Sequence, residues 1–321
     1  MVARRTFIKA ASLTAFAAGT AALSILQSHA QQAPNSTGDG AAKLKSPPNA
    51  CDCHHHIYDA DRFPLAPTPG LPPPTHASVS EYRLLQKRIG TTRNVVVQPR
   101  NYGIDNAVTL DALAQFKGNA RGIAVVRPTV TDAELKRFDA AGVRGIRFTI
   151  GNPKNRVVEP EMIEQLAKRI ADLGWHIQFN MEGHQVIELA DVLRRLPVPM
   201  VFDHLGNPTL PAGIDDPSHA IIRGLIDKGR TWVKLSGAYS NSKIGPPAYP
   251  EATRTAQAFV RAAPERLVWG SDWPHPTEAE NNKPNDALLF DLLSVWVPDE
   301  AVRNRILVSN PEALYGFPKT I

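Results

Sequence analysis

Residues Val143–Asp203 read VRGIRFTIGNPKNRVVEPEMIEQLAKRIADLGWHIQFNMEGHQVIELADVLRRLPVPMVFD. Three short apolar runs, Val143–Phe148, His176–Phe179 and Pro199–Asp203, alternate here with two longer amphipathic ones, Pro160–Leu173 and Gln185–Leu196. Strand-length runs separated by helix-length runs predict βαβ units, and therefore parallel strand pairing.

The same alternation continues on both sides. Upstream lie strands at Ala50–His56, Asn94–Gln98 and Arg121–Val126, with helices at Val79–Arg88, Ala107–Phe116 and Asp132–Ala140. Downstream lie strands at Trp232–Leu235 and Leu267–Trp269, with helices at Ser218–Asp227, Glu251–Ala262 and Asp286–Val297. Thr131-Asp132-Ala133-Glu134 supplies an N-cap and an acidic first turn. Eight units in roughly 270 residues predict an α/β fold, a single-domain (β/α)8 TIM barrel. An open doubly wound sheet is the alternative, but no Gly-x-Gly-x-x-Gly follows the first strand to cradle a dinucleotide. One more helix, Asp299–Leu307, precedes the run Asn310–Tyr315.

The chain has 321 residues, 43% of them apolar, enough to bury a large core. Residues 1–30 carry Arg4, Arg5 and Lys9, then a mildly apolar run, then Ser28-His29-Ala30, which reads as an export signal. Ser12, Thr14, Gly19 and Thr20 interrupt that run, so no stable membrane anchor is expected. Arg4-Arg5 followed by Phe7 resembles a twin-arginine signal, with Ala3 where such signals often carry Ser or Thr. The export machinery that reads it and a periplasmic destination follow as expectations, a plain secretory signal being the alternative. Losing those three cations takes the formal charge from +5 to +2. No basic block or interleaved aromatic stripe remains, so nucleic-acid binding is not expected. Residues 31–49 are Gln-, Ala-, Pro- and Gly-rich without apolar periodicity and read as a flexible leader, with the barrel occupying residues 50–321.

In a parallel barrel the chemistry sits at the C-terminal ends of the strands. The first strand ends in "CDCHHHIYD", Cys51–Asp59. Side-chain alternation predicts Asp52, His54 and His56 facing the interior and Cys51, Cys53 and His55 facing the helices. The two cysteines are expected as free, buried thiols, because an i, i+2 pair on an extended strand is spaced by roughly 6.6 Å with parallel side chains. His-x-His on one face brings two imidazoles together, a donor pair suited to zinc or a similar divalent ion. The sixth strand ends in Asp203-His204 and the eighth in Gly270-Ser271-Asp272, so His204 and Asp272 aim at the same mouth.

The blocks "CDCHHHIYD", "GVRGIRF", "VFDHLGNP", "WVKLSGAYS", "VWGSDWPHP" and "NPEALYGF" occur in order from about Ala50 to Tyr315. They resemble the amidohydrolase superfamily, and within it the branch of 2-pyrone-4,6-dicarboxylate lactonases, sulfomuconolactone hydrolases and sugar-acid lactone enzymes. Two departures bear on the metal. The fourth strand has no bridging lysine, and after the fifth, "WHIQFNMEG" offers Gln178 and Asn180 in place of a histidine, His176 lying at the opposite end and His184 beyond. The resemblance implies one divalent metal, by preference zinc, held by His54, His56, His204 and Asp272, with metal-independent catalysis as the alternative.

It also implies opening of an anionic lactone in aromatic-acid breakdown. Asp272 is the expected general base for water, with His204 as its catalytic companion, and the three histidines stabilise the oxyanion directly or through an ion. Arg147 is the expected inward cation of the fourth strand, able to hold a carboxylate or sulfonate, while Arg144 pairs with an acid of the helix layer. Gln98, Asn101, Tyr102, Asn180 and Tyr239 complete the expected substrate contacts, with Arg100, Lys154, Arg156 and Ser240 as further loop candidates. Lactone isomerisation, decarboxylation or a non-catalytic exported binding protein are the competing readings.

Overall fold

A computed structural model describes residues 32–67 and 76–320; the expected export signal at 1–30 lies outside the described residues. Eight strands pair in chain order: β1 (Cys51–His55), β2 (Arg93–Val97), β3 (Ala120–Ala124), β4 (Val143–Thr149), β5 (His176–Asn180), β6 (Met200–Phe202), β7 (Thr231–Leu235) and β8 (Leu267–Trp269). Every ladder between neighbours is parallel. The expected (β/α)8 barrel is the observed fold. Its seam is closed beyond β8, where Asp272 N–H donates to the His54 carbonyl at 2.7 Å and His56 N–H donates to that of Trp273 at 2.8 Å. Gly270 makes that approach possible, since a Cβ there would lie 2.6 Å from the His54 Cβ.

Helices α1 (Val79–Ile89), α2 (Ala107–Phe116), α3 (Asp132–Ala141) and α4 (Ile163–Ala171) follow the first four strands. Reciprocal capping boxes start α1 through Ser78 and Glu81, and α3 through Thr131 and Glu134. On α4 the buried residues are Ile163, Leu166, Ala167 and Ile170, the i, i+3, i+4, i+7 stripe of a helix laid against a sheet. The single helix expected over Gln185–Leu196 is instead two, α5 (Gly183–Glu188) and α6 (Ala190–Arg195), because Leu189 leaves helical geometry with ψ at 6°. Helices α7 (Pro217–Asp227), α8 (Pro250–Ala262) and α9 (Asp286–Trp296) complete the outer layer. The tail forms α10 (Glu300–Asn304), a π-helical turn at Arg305–Ser309 and α11 (Asn310–Tyr315).

That tail plugs the N-terminal end of the barrel. Tyr315 and Phe317 are buried in one apolar cluster with Val95, Val97, Val201, Trp232 and Val268. Asn310 ties α11 to β8 by donating to the carbonyls of Pro264 and Leu267 at 2.8 and 2.7 Å.

The leader is not the free segment its composition suggests. The Arg88 guanidinium donates to Ser36 Oγ at 2.8 Å and to the carbonyls of Thr37 and Gly40 at 2.9 Å, and Trp273 Nε1 donates to the Pro34 carbonyl at 2.7 Å. Ala33, Ser36 and Ala42 are buried as a result. Long-range donors from α1 and the β8 loop hold this segment, and no local periodicity announces them.

Candidate active site

Strict alternation fails on β1. Asp52 pairs with Asn94 and His55 with Val96, so Cys53 and His54 together oppose the single residue Val95. Such a bulge resets the facing of everything after it. Ahead of the reset, Cys51 and Cys53 point into the barrel, within the cluster that contains Val95 and Tyr315, rather than under the helices as expected. Both remain free, buried thiols. Asp52 turns the other way, accepting from Tyr82 Oη of α1 at 2.9 Å and from Ser271 Oγ at 2.6 Å, and burial raises its carboxyl to about 6. His55 stacks on Tyr82 with centroids 3.6 Å apart and donates from Nε2 to Asn94 Oδ1 at 2.9 Å, a structural histidine. The bulge leaves His54 and His56 both facing the mouth.

Four side chains meet there. His54 Nε2 and His56 Nε2 lie 3.3 Å apart, and Asp272 Oδ1 stands 3.4, 3.5 and 3.8 Å from the Nε2 atoms of His54, His56 and His204. Each ring is fixed from behind through Nδ1: His56 on the Val97 carbonyl at 2.8 Å, His204 on Ser236 Oγ at 2.9 Å, His54 on Lys234 Nζ at 3.2 Å. His204 and Asp272 both have left-handed backbone, with φ of 48° and 64°. Such conformations cost energy and persist where surrounding structure enforces them. Asn241 does so at His204, its Nδ2 donating to the His204 and Gly237 carbonyls at 3.1 and 3.0 Å. Gly237 itself must be glycine, since its φ is +65° and a Cβ would meet His204 Nδ1 at 2.9 Å.

Burial alone would raise the Asp272 carboxyl, but the His204, His56 and His54 rings hold it well below the usual carboxylate range. Tyr239 Oη donates to its other oxygen, Oδ2, at 2.5 Å and meets His275 Nδ1 at 3.1 Å, while His275 Nε2 lies 3.0 Å from Asp286 Oδ2. Oδ1 is thereby left to the imidazoles. Burial lowers His54 well below its ordinary value, with Lys234 adding to the effect, and lowers His56 as well.

Beneath His54 lies a second polar layer that alternation alone could have indicated. Asp203 and Lys234 are fully buried and inward-facing. Lys234 Nζ donates to Gln178 Oε1 at 2.7 Å, Gln178 Nε2 donates to Asp203 Oδ2 at 3.0 Å, and Arg147 donates to the same oxygen from Nε at 3.1 Å. Lys234 sits in the quoted block "WVKLSGAYS" two residues after inward Trp232, and that parity was its signal. Arg147 does face the barrel as expected, but Nε and Nη2 are engaged by Asp203, so it is a partly neutralised cation rather than a free bidentate fork. Arg144 pairs with Asp139 of α3 at 3.1 Å.

Above this floor opens a cavity of about 460 Å³ whose walls include His56, His204, Asp272, Arg100, Arg147 and Lys283. Asn101 and Asn180 also line it. A second lobe of about 590 Å³ shares Arg100, Asn180, His204 and Asp272 and adds Ser240 and His184. Arg100 donates to the neutral Asn155 Oδ1 at 2.7 Å and has no carboxylate partner among the described residues. Burial, reinforced by nearby Arg147, lowers its guanidinium. Two expected contacts lie elsewhere. Gln98 is fully buried between the Asp105 carbonyl and Thr109, and Tyr102 Oη is occupied by the Asp59 N–H at 2.8 Å. Arg156 is likewise committed, to the Ile150 carbonyl at 2.7 Å and to Glu159. Lys154 is exposed and lines neither lobe.

The donor spacing suits a metal. A tetrahedral ion with bonds of about 2.0–2.1 Å sets its ligand atoms about 3.3–3.4 Å apart, and the distances among His54 Nε2, His56 Nε2 and Asp272 Oδ1 fall at or slightly above that value, with His204 Nε2 farther out at 3.8 Å from Oδ1. Two candidate groups recur, His54 with His56 and Asp272, and His54 with Asp203 and His204.

The amidohydrolase family profile matches residues 51–317. The chain is 34% identical over 282 residues to the 2-pyrone-4,6-dicarboxylate hydrolase of Comamonas testosteroni, covering 85% of this chain and 92% of the relative. It is 34% identical to the 4-sulfomuconolactone hydrolase of Rhizobium radiobacter over 274 residues, covering 84% and 91%. An Agrobacterium tumefaciens protein solved in its apo form superposes with a TM-score of 0.80 at 31% identity, covering 89% of this chain and 99% of that one. Six blocks in order, an eight-stranded barrel, a three-histidine and aspartate floor and these matches agree: the chain belongs to the amidohydrolase family.

Proposed function

We propose that this protein opens the ester of an acid-bearing lactone by attack of water, in the breakdown of aromatic acids. The observation that carries the reading is the convergence of three Nε2 atoms on Asp272 Oδ1 at the floor of a cavity walled by Arg100 and Arg147. A half-buried guanidinium with only a neutral partner is costly unless an anion completes it, which favours a lactone carrying a carboxylate or sulfonate. The pyrone-dicarboxylate and sulfomuconolactone hydrolases to which the chain is similar support the same class.

With the lactone carbonyl over the imidazoles, Asp272 Oδ1 takes a proton from the attacking water as the new carbon–oxygen bond forms. Tyr239, held on Oδ2, keeps that carboxylate turned toward the water. The imidazole N–H groups of the floor other than that of His56, whose proton is held on Nδ1 by the Val97 carbonyl, receive the oxyanion. As the tetrahedral intermediate collapses, the ring carbon–oxygen bond breaks and protonated Asp272 returns its proton to the leaving ring oxygen. His54, His56, His204 and Asp272 would hold a divalent ion, zinc by its fit to this donor set, which when bound polarises the carbonyl and lowers the pKa of water. Turnover of a panel of anionic lactones in H₂¹⁸O tests the assignment. One ¹⁸O should enter each product, and Asp272→Asn should lower kcat by about 10²–10⁴-fold. Turnover without label points to isomerisation, and binding with no turnover to a receptor.

Export through the twin-arginine route to the periplasm is part of the same proposal, supported by Arg4-Arg5, the interrupted apolar run and Ser28-His29-Ala30. Periplasmic protein beginning near Gln31, lost when both arginines become lysine, is the expected result; cytoplasmic retention of the full chain would refute it.

A further inference from the structure

Lys234 is fully buried in the barrel, one layer below the imidazole floor, and no step of the hydrolysis uses it. Its contacts impose a direction on the hydrogen bonds above. An ammonium has only donors, so at 3.2 Å from His54 Nδ1 it donates to that nitrogen and confines the ring proton to Nε2. His56 is oriented the other way, because its Nδ1 faces the Val97 carbonyl at 2.8 Å and must carry the proton, leaving Nε2 as an acceptor. The His54 Nε2–H then donates to His56 Nε2 at 3.3 Å. The path from Lys234 through both rings to Val97 is complete with neutral imidazoles and no added cation.

An ion needs the opposite arrangement at His54, with a lone pair on Nε2 and the proton on Nδ1. The acceptor for that proton is in place. Asp203 Oδ1 is 3.2 Å from His54 Nδ1 and 3.4 Å from Lys234 Nζ, yet it is buried without a hydrogen bond in good geometry. Lys234 and Asp203 thus present a donor and an acceptor to the same nitrogen.

We propose that Lys234 is a positioning residue that sets the tautomer of His54, keeping Nε2 a hydrogen-bond donor at the reacting centre and holding down the metal affinity of the floor, with Asp203 favouring the metal-binding tautomer. The inference rests on these imidazoles being the floor of the site, but its test needs no substrate, so failure of the lactone assignment leaves it standing. The measurement is ¹⁵N-histidine NMR of chelator-treated protein, with His54 assigned through His54→Gln, alongside zinc affinity by competition with a chromophoric chelator.

Wild-type His54 should carry its proton on Nε2. In Lys234→Met, an apolar replacement of similar length, the proton should move to Nδ1 and zinc should bind at least tenfold more tightly. Asp203→Asn should weaken zinc binding by about 10–100-fold, the usual effect of losing a ligand's supporting acceptor. An Nδ1 proton in the metal-free wild type overturns the proposal, and so does tighter zinc binding by Lys234→Met with no change of tautomer, which would be an effect of charge alone. Because the wild-type tautomer is decisive by itself, the proposal stays testable even where a variant fails to fold.

Discussion

On the proposed function, Arg100 is the side chain on which substrate choice would turn. It lies in both lobes of the cleft, donates to a neutral amide and sits near Arg147, whose own charge is largely answered by Asp203. A hydrogen bond to a charged group contributes about 1.5–3 kcal/mol, so Arg100→Gln should raise KM about 10–100-fold for an acid-bearing lactone. The corresponding methyl ester should be turned over almost equally by both proteins, and kcat should change little for either. A uniform fall in kcat for charged and neutral substrates alike would instead place Arg100 in the chemistry or in the scaffold. Steady-state kinetics on matched acid and ester substrates separates the two outcomes.

At the scale of the element, the ends of β6 and β8 are readable because residues that leave a barrel strand at its C-terminal end emerge at the mouth. His204 and Asp272 follow that rule. On β1, His54 and His56 do reach the mouth, but the facing of the residues before them is the reverse of what alternation implies. Alternation counted back from His54 puts Cys51 and Cys53 outside, whereas they lie inside below it and Asp52 turns to Tyr82, because the bulge at Cys53–His54 steps the histidines out of phase with the residues before them. A bulge is a property of two paired strands, and a single strand's sequence shows only its alternation. Gln98 and Tyr102 failed for a related reason: a polar residue just past a strand is equally useful to the neighbouring loop, and their partners Asp105, Thr109 and Asp59 claim them. The buried Lys234 and Asp203 were legible by parity, but a lone lysine in a strand gives no hint of the carboxylate, amide and imidazole that other strands bring to it.

The molecule as a whole places many titratable groups where water cannot reach them, and its response to acid follows from that. His55 and His176 are both buried and both lowered to about 3 by burial, against an ordinary value of 6.5. Between those two values the unfolded chain binds protons that the barrel refuses, so lowering the pH favours unfolding, by about 1.4 kcal/mol per pH unit for each group. His54 and His56, also lowered, act in the same sense. Asp52 opposes them. Its folded value of about 6 lies above the ordinary 3.8, so between these the barrel holds a proton that the unfolded chain does not. Asp203 and Asp272, held well below 3.8, release their contribution only in stronger acid. Stability should therefore be full above about pH 6.5, fall from there toward pH 4, and fall still more steeply below it, where Asp52 no longer compensates. His176 offers the cleanest check because it packs at 5.4 Å on Tyr315, in the plugged end of the barrel below the imidazole floor. In His176→Gln the slope of unfolding free energy between pH 6 and pH 4 should flatten by about 1.4 kcal/mol per pH unit, whatever the variant's stability at pH 7. Urea midpoints at four pH values measure that slope, and a variant curve parallel to wild type would mean that His176 is already protonated in the folded barrel.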